Sequence, residues 1–188
     1  MSQIFFTSDT HFGHKNILNY NKDDRPFTSV HEMNEWIIES WNAKVGPDDV
    51  VYHLGDVAFM QAMELRKLLD RLNGRIKLIR GNHDKVVDSP VVRGRFDWIR
   101  SYHTFKIGDT RYVLFHFPIF SWHNMERGAI HLYGHTHGVL PYVHPGWSMD
   151  VGMDTNGCMV YSLEDIHWTL ASDGRRFNVV RPPARPTP

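Results

Sequence analysis

The sequence lacks the features that mark a secreted, membrane-bound or nucleic-acid-coating protein. Among 188 residues there is one cysteine, Cys158, so no disulfide can form within the chain. No apolar run is as long as a membrane span, and the N-terminal "MSQIFFTSD" has no charged segment followed by a long apolar one. Basic and acidic residues both number 21, so no net charge attracts polyanions. We therefore expect a cytoplasmic protein with no membrane partner.

A long linker is also missing. The hydrophobic fraction of 41% and aromatic fraction of 13% fit one well-filled core. We predict a single domain over residues 1–173. The remainder, residues 174–188, is rich in arginine and proline, and we expect it to be a solvated, extended tail. Binding of phosphates or nucleic acid by its arginines is the alternative.

Five short apolar runs predict β-strands: "IFFTS" (4–8), "VVYHL" (50–54), "IKLIR" (76–80), "YVLFH" (112–116) and "AIHLY" (129–133). Between the first three, two segments predict helices. One begins with Ser29 and Glu32 in capping-box spacing and stops before Gly46-Pro47. The other covers residues 62–74, with Gly74 as its expected C-cap. This alternation is typical of βαβ units in a largely parallel sheet, and the closer runs beyond residue 103 indicate hairpins, hence a mixed sheet.

Histidine is what the sequence does have, with 13 copies spread along the chain. Residues able to bind metal follow or end all five predicted strands, in the stretches "DTH", "GD", "GNHD", a terminal histidine and "GHTH". They are Asp9, His11, Asp56, Asn82, His83, Asp84, His116, His135 and His137. Each stretch alone could be an ordinary turn, but five at five strand ends favour a site, because the carboxyl edge of such a sheet is where ligands bind.

The residue types indicate which ligand the site would take. Two carboxylates, several imidazoles and one amide provide more ligands than one ion uses, so two divalent ions fit better. Mixed nitrogen and oxygen ligands without thiolate favour Mn²⁺, with Fe, Zn²⁺ or Ni²⁺ as alternatives, over Ca²⁺. Two ions about 3.5 to 4 Å apart suit in-line displacement at phosphorus.

The ordered stretches "DTH", "GD", "GNHD", His116 and "GHTH" resemble the signature of the calcineurin-like metallophosphoesterase superfamily. The stretches "DTHFGHKNIL", "VGPDDVVYHLGDVAF" and "MDVGMDTNG" are similar to its small, capless bacterial and phage members. The resemblance implies an α/β fold in which two mixed β-sheets pack face to face as a sandwich flanked by helices, in four αββα layers. It also implies a metallophosphoesterase domain over residues 1–173.

The same resemblance implies a role for each candidate. The ligands of the first ion would be Asp9, His11 and His137, those of the second Asn82, His116 and His135, and Asp56 would bridge both. Gly134 and Gly138 would let the chain turn, so that each histidine between them reaches a different ion. His83 would face the substrate, with Asp84 hydrogen-bonded behind it to orient the ring.

The expected reaction is hydrolysis of a phosphate ester, with phosphodiesters favoured over monoesters. A hydroxide bridging the ions would attack phosphorus while His83 protonates the leaving group. The substrate could be derived from a nucleotide or nucleic acid. Two alternatives remain: a two-metal hydrolase of carboxylic esters or amides, and a non-catalytic scaffold with the same fold.

Other residues have weaker signals. Those that could line the rim of the pocket or contact substrate are His14, Asn16, Arg25, Trp122, His123 and Arg127. We expect His53 to be a packed strand residue. We expect structural or surface positions for His31, His103, His131, His144 and His167.

Overall fold

The computed structural model describes residues 2–140 and 146–172. The strands are β1 (Ile4–Thr7), β2 (Val50–His53), β3 (Arg75–Ile79), β4 (Phe96–Arg100), β5 (Tyr102–Ile107), β6 (Thr110–Phe115), β7 (Ile130–Tyr133), β8 (Ser148–Asp150) and β9 (Tyr161–Ser162). The helices are α1 (Ile17–Tyr20), α2 (Val30–Lys44), α3 (Ala62–Leu69), α4 (Pro90–Arg93) and α5 (Leu163–Ser172). In these ranges no helix has the length and apolarity of a membrane span. The segment 174–188 and His144 lie outside the described residues.

The first sheet has the strand order β4-β3-β2-β1-β9. Strands β1 to β4 are parallel, and β9 is antiparallel to β1. Thr7 lies opposite His53, which lies opposite Leu78, so β1, β2 and β3 end at the same level. The loops that follow these three strands therefore leave the sheet side by side.

The second sheet has the order β5-β6-β7-β8. Strands β5 and β6 form an antiparallel hairpin, whereas β6, β7 and β8 are parallel. Both sheets are thus mixed, which confirms the predicted fold class. Their parallel strands bring the segments after β6 and β7 to the edge where the loops of the first sheet emerge.

The two sheets pack face to face through aromatic rings. The ring of Phe6 on β1 stacks on those of Tyr52, Phe105 and Tyr112, with centroids 5.4, 6.5 and 6.1 Å apart. Because side chains alternate along a strand, the neighbouring Phe5 points to the opposite face. There it joins a core shared with α2 and α3 that includes Met33, Ile37, Trp41, Leu65 and Leu69. Burying each such side chain contributes about 1.5–3 kcal/mol.

Helix α2 begins as predicted, because the Ser29 hydroxyl accepts a hydrogen bond from the Glu32 amide at 3.1 Å. The prediction for the other helix was wrong at its end. Helix α3 stops at Leu69 and is capped by Asp70, since the next two amides bond to carbonyls only three residues back. Gly74 instead makes the turn into β3, with φ +86°.

All five predicted strands are confirmed, as β1, β2, β3, β6 and β7. No separate prediction was made for β4, β8 or β9. The last of these has only two residues, which pair with β1 at the edge of the first sheet. A pattern of alternating apolar residues needs more length than that to be seen.

Candidate metal centre

The residues predicted to bind metal converge at the shared carboxyl edge of the sheets. Two groups of three each offer ligand atoms that lie within 4.8 Å of one another. The first cluster consists of Asp9, His11 and His137, and the second cluster of Asp56, His116 and His135. The first cluster has the residues that the sequence resemblance assigned to the first ion, and the second cluster contains His116 and His135 of the second set together with Asp56, the residue expected to bridge.

In the first cluster, the donor set fits a cation. Asp9 is fully buried and His11 is 3% exposed. Asp9 Oδ1 and His11 Nε2 lie 3.6 Å apart, and both are buried atoms without a hydrogen-bond partner. Leaving a buried carboxylate oxygen and an imidazole nitrogen unpartnered is costly, and a metal ion would satisfy both.

Asp56 connects the two clusters. Its Oδ2 atom lies 3.9 Å from Nε2 of His11 and 3.5 Å from Nε2 of His116. The Asn82 amide oxygen lies 3.0 Å from the same nitrogen of His116, which places this side chain beside the second cluster. The arrangement matches a carboxylate that could serve two ions.

Two of the histidines have their rings fixed from behind. His116 donates its Nδ1 proton to the carbonyl oxygen of Leu54 at 2.7 Å, and His137 donates its own to Asp154 at 2.7 Å. Each bond selects the tautomer in which Nε2 is the free ligand atom, the usual second layer of a metal site. The rings of His116 and His137 are therefore oriented before any ion binds.

Sequence reasoning missed Asp154 as a functional residue and placed Arg25 wrongly. Arg25 is 1% exposed and forms a buried ion pair with Asp154, with Nε–Oδ1 at 2.7 Å. Its other nitrogens donate to the carbonyl oxygens of Asp9 and Thr10. Burial excludes it from substrate contact, so its role is to hold Asp154 and the Asp9 loop. The stretch "MDVGMDTNG", noted in the resemblance, contained the only signal for Asp154.

The main chain is strained at five of the candidate ligands. Asp9, His11, Asp56, His135 and His137 have φ between +48° and +70°, a region that favours glycine. Each such residue costs on the order of 1–3 kcal/mol. Such strain persists where the surrounding structure enforces it, and it is concentrated here at the candidate ligands.

Glycines leave space for the chain beside two of these candidate ligands. A Cβ atom on Gly81 would lie 2.2 Å from Asp56 Oδ1, and one on Gly134 would lie 2.0 Å from the Ser8 hydroxyl. The expectation that glycines make the turn at "GHTH" needs a correction, because the histidines themselves adopt positive φ together with Gly138. The role of Gly134 is close packing of the two loops.

Asp84 does not orient the ring of His83. Its carboxylate accepts hydrogen bonds from the main-chain amides of Asp56, Val57 and Gly81 at 2.7–2.9 Å. No hydrogen bond in the described part of the chain joins it to that ring, so this expectation was wrong. Asp84 instead ties the loop after β2 to the loop after β3. His83 is exposed, and its amide donates to Asp56 Oδ1 at 2.9 Å.

Electrostatics keep the carboxylates ionised. Burial would raise the pKa of Asp56, but hydrogen bonds from the His116 side chain and from the His83 amide lower it to about 2. Burial would lower the pKa of His116 and His137, but their acidic partners Asp56 and Asp154 raise it above the ordinary value. A bound cation would displace these imidazole protons, so metal binding should release protons.

Of the other weaker candidates, four are exposed or half-buried and one is buried. His14 is half-buried at the rim, with its Nδ1 atom 3.2 Å from Nδ1 of His11, while Asn16, His123 and Arg127 are exposed. Trp122 is not at the rim, because its ring is 8% exposed and its Nε1 donates to the Ala129 carbonyl on the outer side of the second sheet.

His53 is packed, as predicted. It is 2% exposed, Nδ1 accepts from the Gly55 amide, and Nε2 lies 2.9 Å from the Thr10 hydroxyl. The Thr10 hydroxyl in turn donates to the carbonyl oxygen of Val57. His53 therefore supports the loops after β1 and β2 from below.

Comparison with known proteins gives one family match. The model described as the calcineurin-like phosphoesterase superfamily domain matches residues 3–147. That span contains every candidate ligand from Asp9 to His137.

The chain is also similar to individual proteins. It is 35% identical over 150 residues to "Uncharacterized protein MJ1445" of Methanocaldococcus jannaschii, an alignment covering 77% of each chain. It is 32% identical over 204 residues to the Gene 66 protein of Mycobacterium phage D29, covering 88% of this chain and 99% of the phage protein. Among solved structures, protein AQ665 of unknown function from Aquifex aeolicus is similar in fold, with TM-score 0.74 and 25% identity, covering 90% of this chain and 100% of that one.

Proposed function

The chain belongs to the calcineurin-like phosphoesterase superfamily, and we propose that it hydrolyses phosphodiesters at the two clusters, with His83 protonating the leaving group. Members of the superfamily are metal-dependent phosphoesterases, and this chain is one of them. The observation that carries the proposal is the pair of clusters next to each other, each with its ligand atoms within 4.8 Å.

Two divalent ions are the proposed cofactors, and Mn²⁺ is the favoured metal for this mixture of nitrogen and oxygen ligands. The residues that would hold them are Asp9, His11 and His137 for the first ion, Asn82, His116 and His135 for the second, and Asp56 for both. When bound, the ions supply positive charge for the phosphoryl oxygens and activate water for in-line attack.

Two observations support the proposed general-acid role of His83. Its side chain is exposed at the rim, while its amide is tied to the buried carboxylate of Asp56 at 2.9 Å. The ring can therefore reach a substrate while its main chain stays fixed. A protonated ring nitrogen would give its proton to the leaving oxygen, a contribution of about 10² to 10⁴ in rate.

Openness of the site supports diesters as substrates. Asn82, His83 and His135 are exposed, so the rim leaves room for a second ester arm. The short segment between His116 and His135 has little material for a cap. Diesters derived from nucleotides or nucleic acid are within this proposal.

The test uses three substrates with one leaving group: bis(p-nitrophenyl) phosphate, p-nitrophenyl phosphate and p-nitrophenyl acetate. After removal of metal and reloading with Mn²⁺, we expect the diester to be hydrolysed fastest and the acetate at the background rate. His135→Ala should abolish turnover, whereas His31→Ala, at an exposed position on α2, should not. Faster turnover of the acetate would favour the carboxylic-ester alternative. No turnover with two ions bound would favour the scaffold.

A further inference from the structure

We infer that a nucleobase of the substrate stacks on an aromatic shelf beside the candidate metal centre, formed by Phe59, His14 and Tyr20. The inference rests on the proposed function, because it assigns the shelf to one arm of a phosphodiester. Phe59 had no role in the sequence predictions, and none of the three residues is a candidate metal ligand.

Phe59 is in the middle of this group of rings. Its centroid lies 4.0 Å from that of His14, in a stacked arrangement, and 5.3 Å from that of His11. The ring of His83, the proposed acid, lies 4.8 Å away. Phe59 thus connects the metal-ligand side of the site with the residue expected to protonate the leaving group.

The shelf is open to solvent although it is aromatic. Phe59 is 37% exposed and Tyr20 is 72% exposed, and the ring of Tyr20 lies edge-on to His14 with centroids 6.4 Å apart. Single exposed apolar side chains are common, but two exposed rings on either side of the His14 ring, at the rim of a polar site, form a surface for a ligand. A nucleobase fits such a surface because every base has a π-face that stacks on aromatic side chains.

The main chain holds Phe59 firmly. Its amide donates to the Phe12 carbonyl at 2.8 Å, and the Phe12 amide donates to the Val57 carbonyl at 2.9 Å. Gly13, with φ +78°, packs so closely that a Cβ atom there would lie 3.0 Å from the Phe59 carbonyl oxygen. A shelf fixed in this way costs little ordering when a base binds.

Proximity to His83 indicates which arm of the diester the shelf receives. A general acid must lie within hydrogen-bond reach of the leaving oxygen. The base attached to the leaving alcohol is therefore the one next to Phe59. We expect the base on the other arm to contribute less to recognition.

The test uses dithymidine monophosphate and two analogues, each with one sugar replaced by a base-free tetrahydrofuran residue. With the Mn²⁺-loaded protein, removal of the base on the leaving arm should lower kcat/KM about tenfold, which corresponds to about 1.4 kcal/mol. Phe59→Leu should hydrolyse the dinucleotide and this analogue at the same rate. Phe59→Tyr should keep the preference, as should Tyr102→Leu, a control at a ring of similar exposure (42%) on β5.

Two outcomes would overturn the inference. One is a wild-type protein that does not distinguish the three substrates. The other is an equal loss on all three in Phe59→Leu, which would mean that the ring only shields His11. Metal content measured for each variant separates this second case from loss of the ions.

Binding separates the inference from the proposed function. Calorimetry with the metal-loaded protein compares thymidine 5′-monophosphate with its base-free analogue. If no diester is hydrolysed but the nucleotide binds about tenfold tighter and Phe59→Leu removes the difference, the diesterase proposal fails and the base site stands. If the nucleotide and its base-free analogue bind with the same affinity, the base site is refuted, even if diesters are hydrolysed.

Discussion

The floor and the rim of the candidate metal centre are built in different ways. On the floor, Asp9, His11, Asp56 and His116 are at most 3% exposed. At the rim, the side chains of Asn82, His83 and His135 are exposed. Both regions come from loops at the same sheet edge, so the difference lies in what holds each side chain.

Floor residues are fixed by buried contacts to neighbouring strands and loops, such as the bond from His116 to the Leu54 carbonyl. Rim residues are fixed mainly through their main chain, since the amides of His83 and His135 donate to the carboxylates of Asp56 and Asp9. We conclude that changes to the floor should affect metal binding and folding. A change at His83, the rim residue that is not a candidate metal ligand, should affect turnover alone.

Replacement of Asp56 by alanine should have the largest effect, because this floor residue is the proposed ligand of both ions. We expect Asp56→Ala to lose both ions at Mn²⁺ concentrations that saturate the wild type, and to have no measurable activity. Equilibrium dialysis with metal analysis gives the stoichiometry. Asp109→Ala, at an exposed acidic position, should bind normally. Normal metal content in Asp56→Ala would refute the shared-ligand assignment.

Replacement of His83 by alanine tests the rim. His83→Ala should keep both ions and lose about 10² to 10⁴ in rate on an alkyl diester, because the alkoxide needs a proton to leave. On a nitrophenyl diester the loss should be much smaller, since nitrophenolate leaves unprotonated. Steady-state rates on both esters decide the matter. An equal loss on the two would remove His83 from the acid role.

Protonation of His53, which packs beneath the floor, should lower the free energy of unfolding at acidic pH. Burial lowers the pKa of His53 to about 4, below its ordinary value of 6.5, so the unfolded chain takes up this proton first as pH falls. The neutral His53 ring makes its full contribution to the free energy of unfolding above pH 6.5, and this contribution is lost progressively as the pH falls to about 4. The loss is on the order of 3 kcal/mol.

Urea unfolding with EDTA present, at pH 7 and pH 4.5, measures this effect. His53→Gln should show a smaller fall in the free energy of unfolding between the two pH values than the wild type. The exposed-site variant His31→Gln should match the wild type. An unchanged pH dependence in His53→Gln would show that His53 is not responsible.

Replacement of Asp154 should have the smallest effect on metal binding and should separate the two clusters, while the buried Arg25 guanidinium that it leaves unpaired should lower the free energy of unfolding. Asp154→Asn removes the charge behind His137 but leaves a hydrogen-bond acceptor, so we expect the first ion to bind about 10 to 100-fold more weakly. The second ion should be little affected. Asn82→Ala should weaken binding of the second ion and leave the first little affected. Calorimetric titration with Mn²⁺ compares the two variants. Equal weakening of both ions in both variants would mean that the clusters do not act separately.

The sequence predicted the strand ends well, because the apolar runs that precede Asp9, Asp56 and Asn82 are local signals. Parallel strands that end at one level then bring the following loops together. The candidate ligands on the floor and Asn82 could therefore be proposed without coordinates. The family resemblance supplied the division into two sets.

Other features depend on contacts between distant parts of the chain. Arg25 and Asp154 are 129 positions apart, and nothing near either residue in the sequence indicates that they pair. Asp84 follows His83 directly, yet its carboxylate turns toward the loop after β2. The two-residue strand β9 is defined by its pairing with β1, about 155 positions earlier in the chain. Tertiary packing decides each of these.

The left-handed backbone at Asp9, His11, Asp56, His135 and His137 has a consequence for how this protein can change. A glycine at any of the five would relax the main chain and remove a candidate metal ligand in the same step. Selection for stability therefore favours glycine at these positions, whereas selection for activity favours aspartate or histidine. In a related protein that has lost the activity, we expect glycine at some of these five positions.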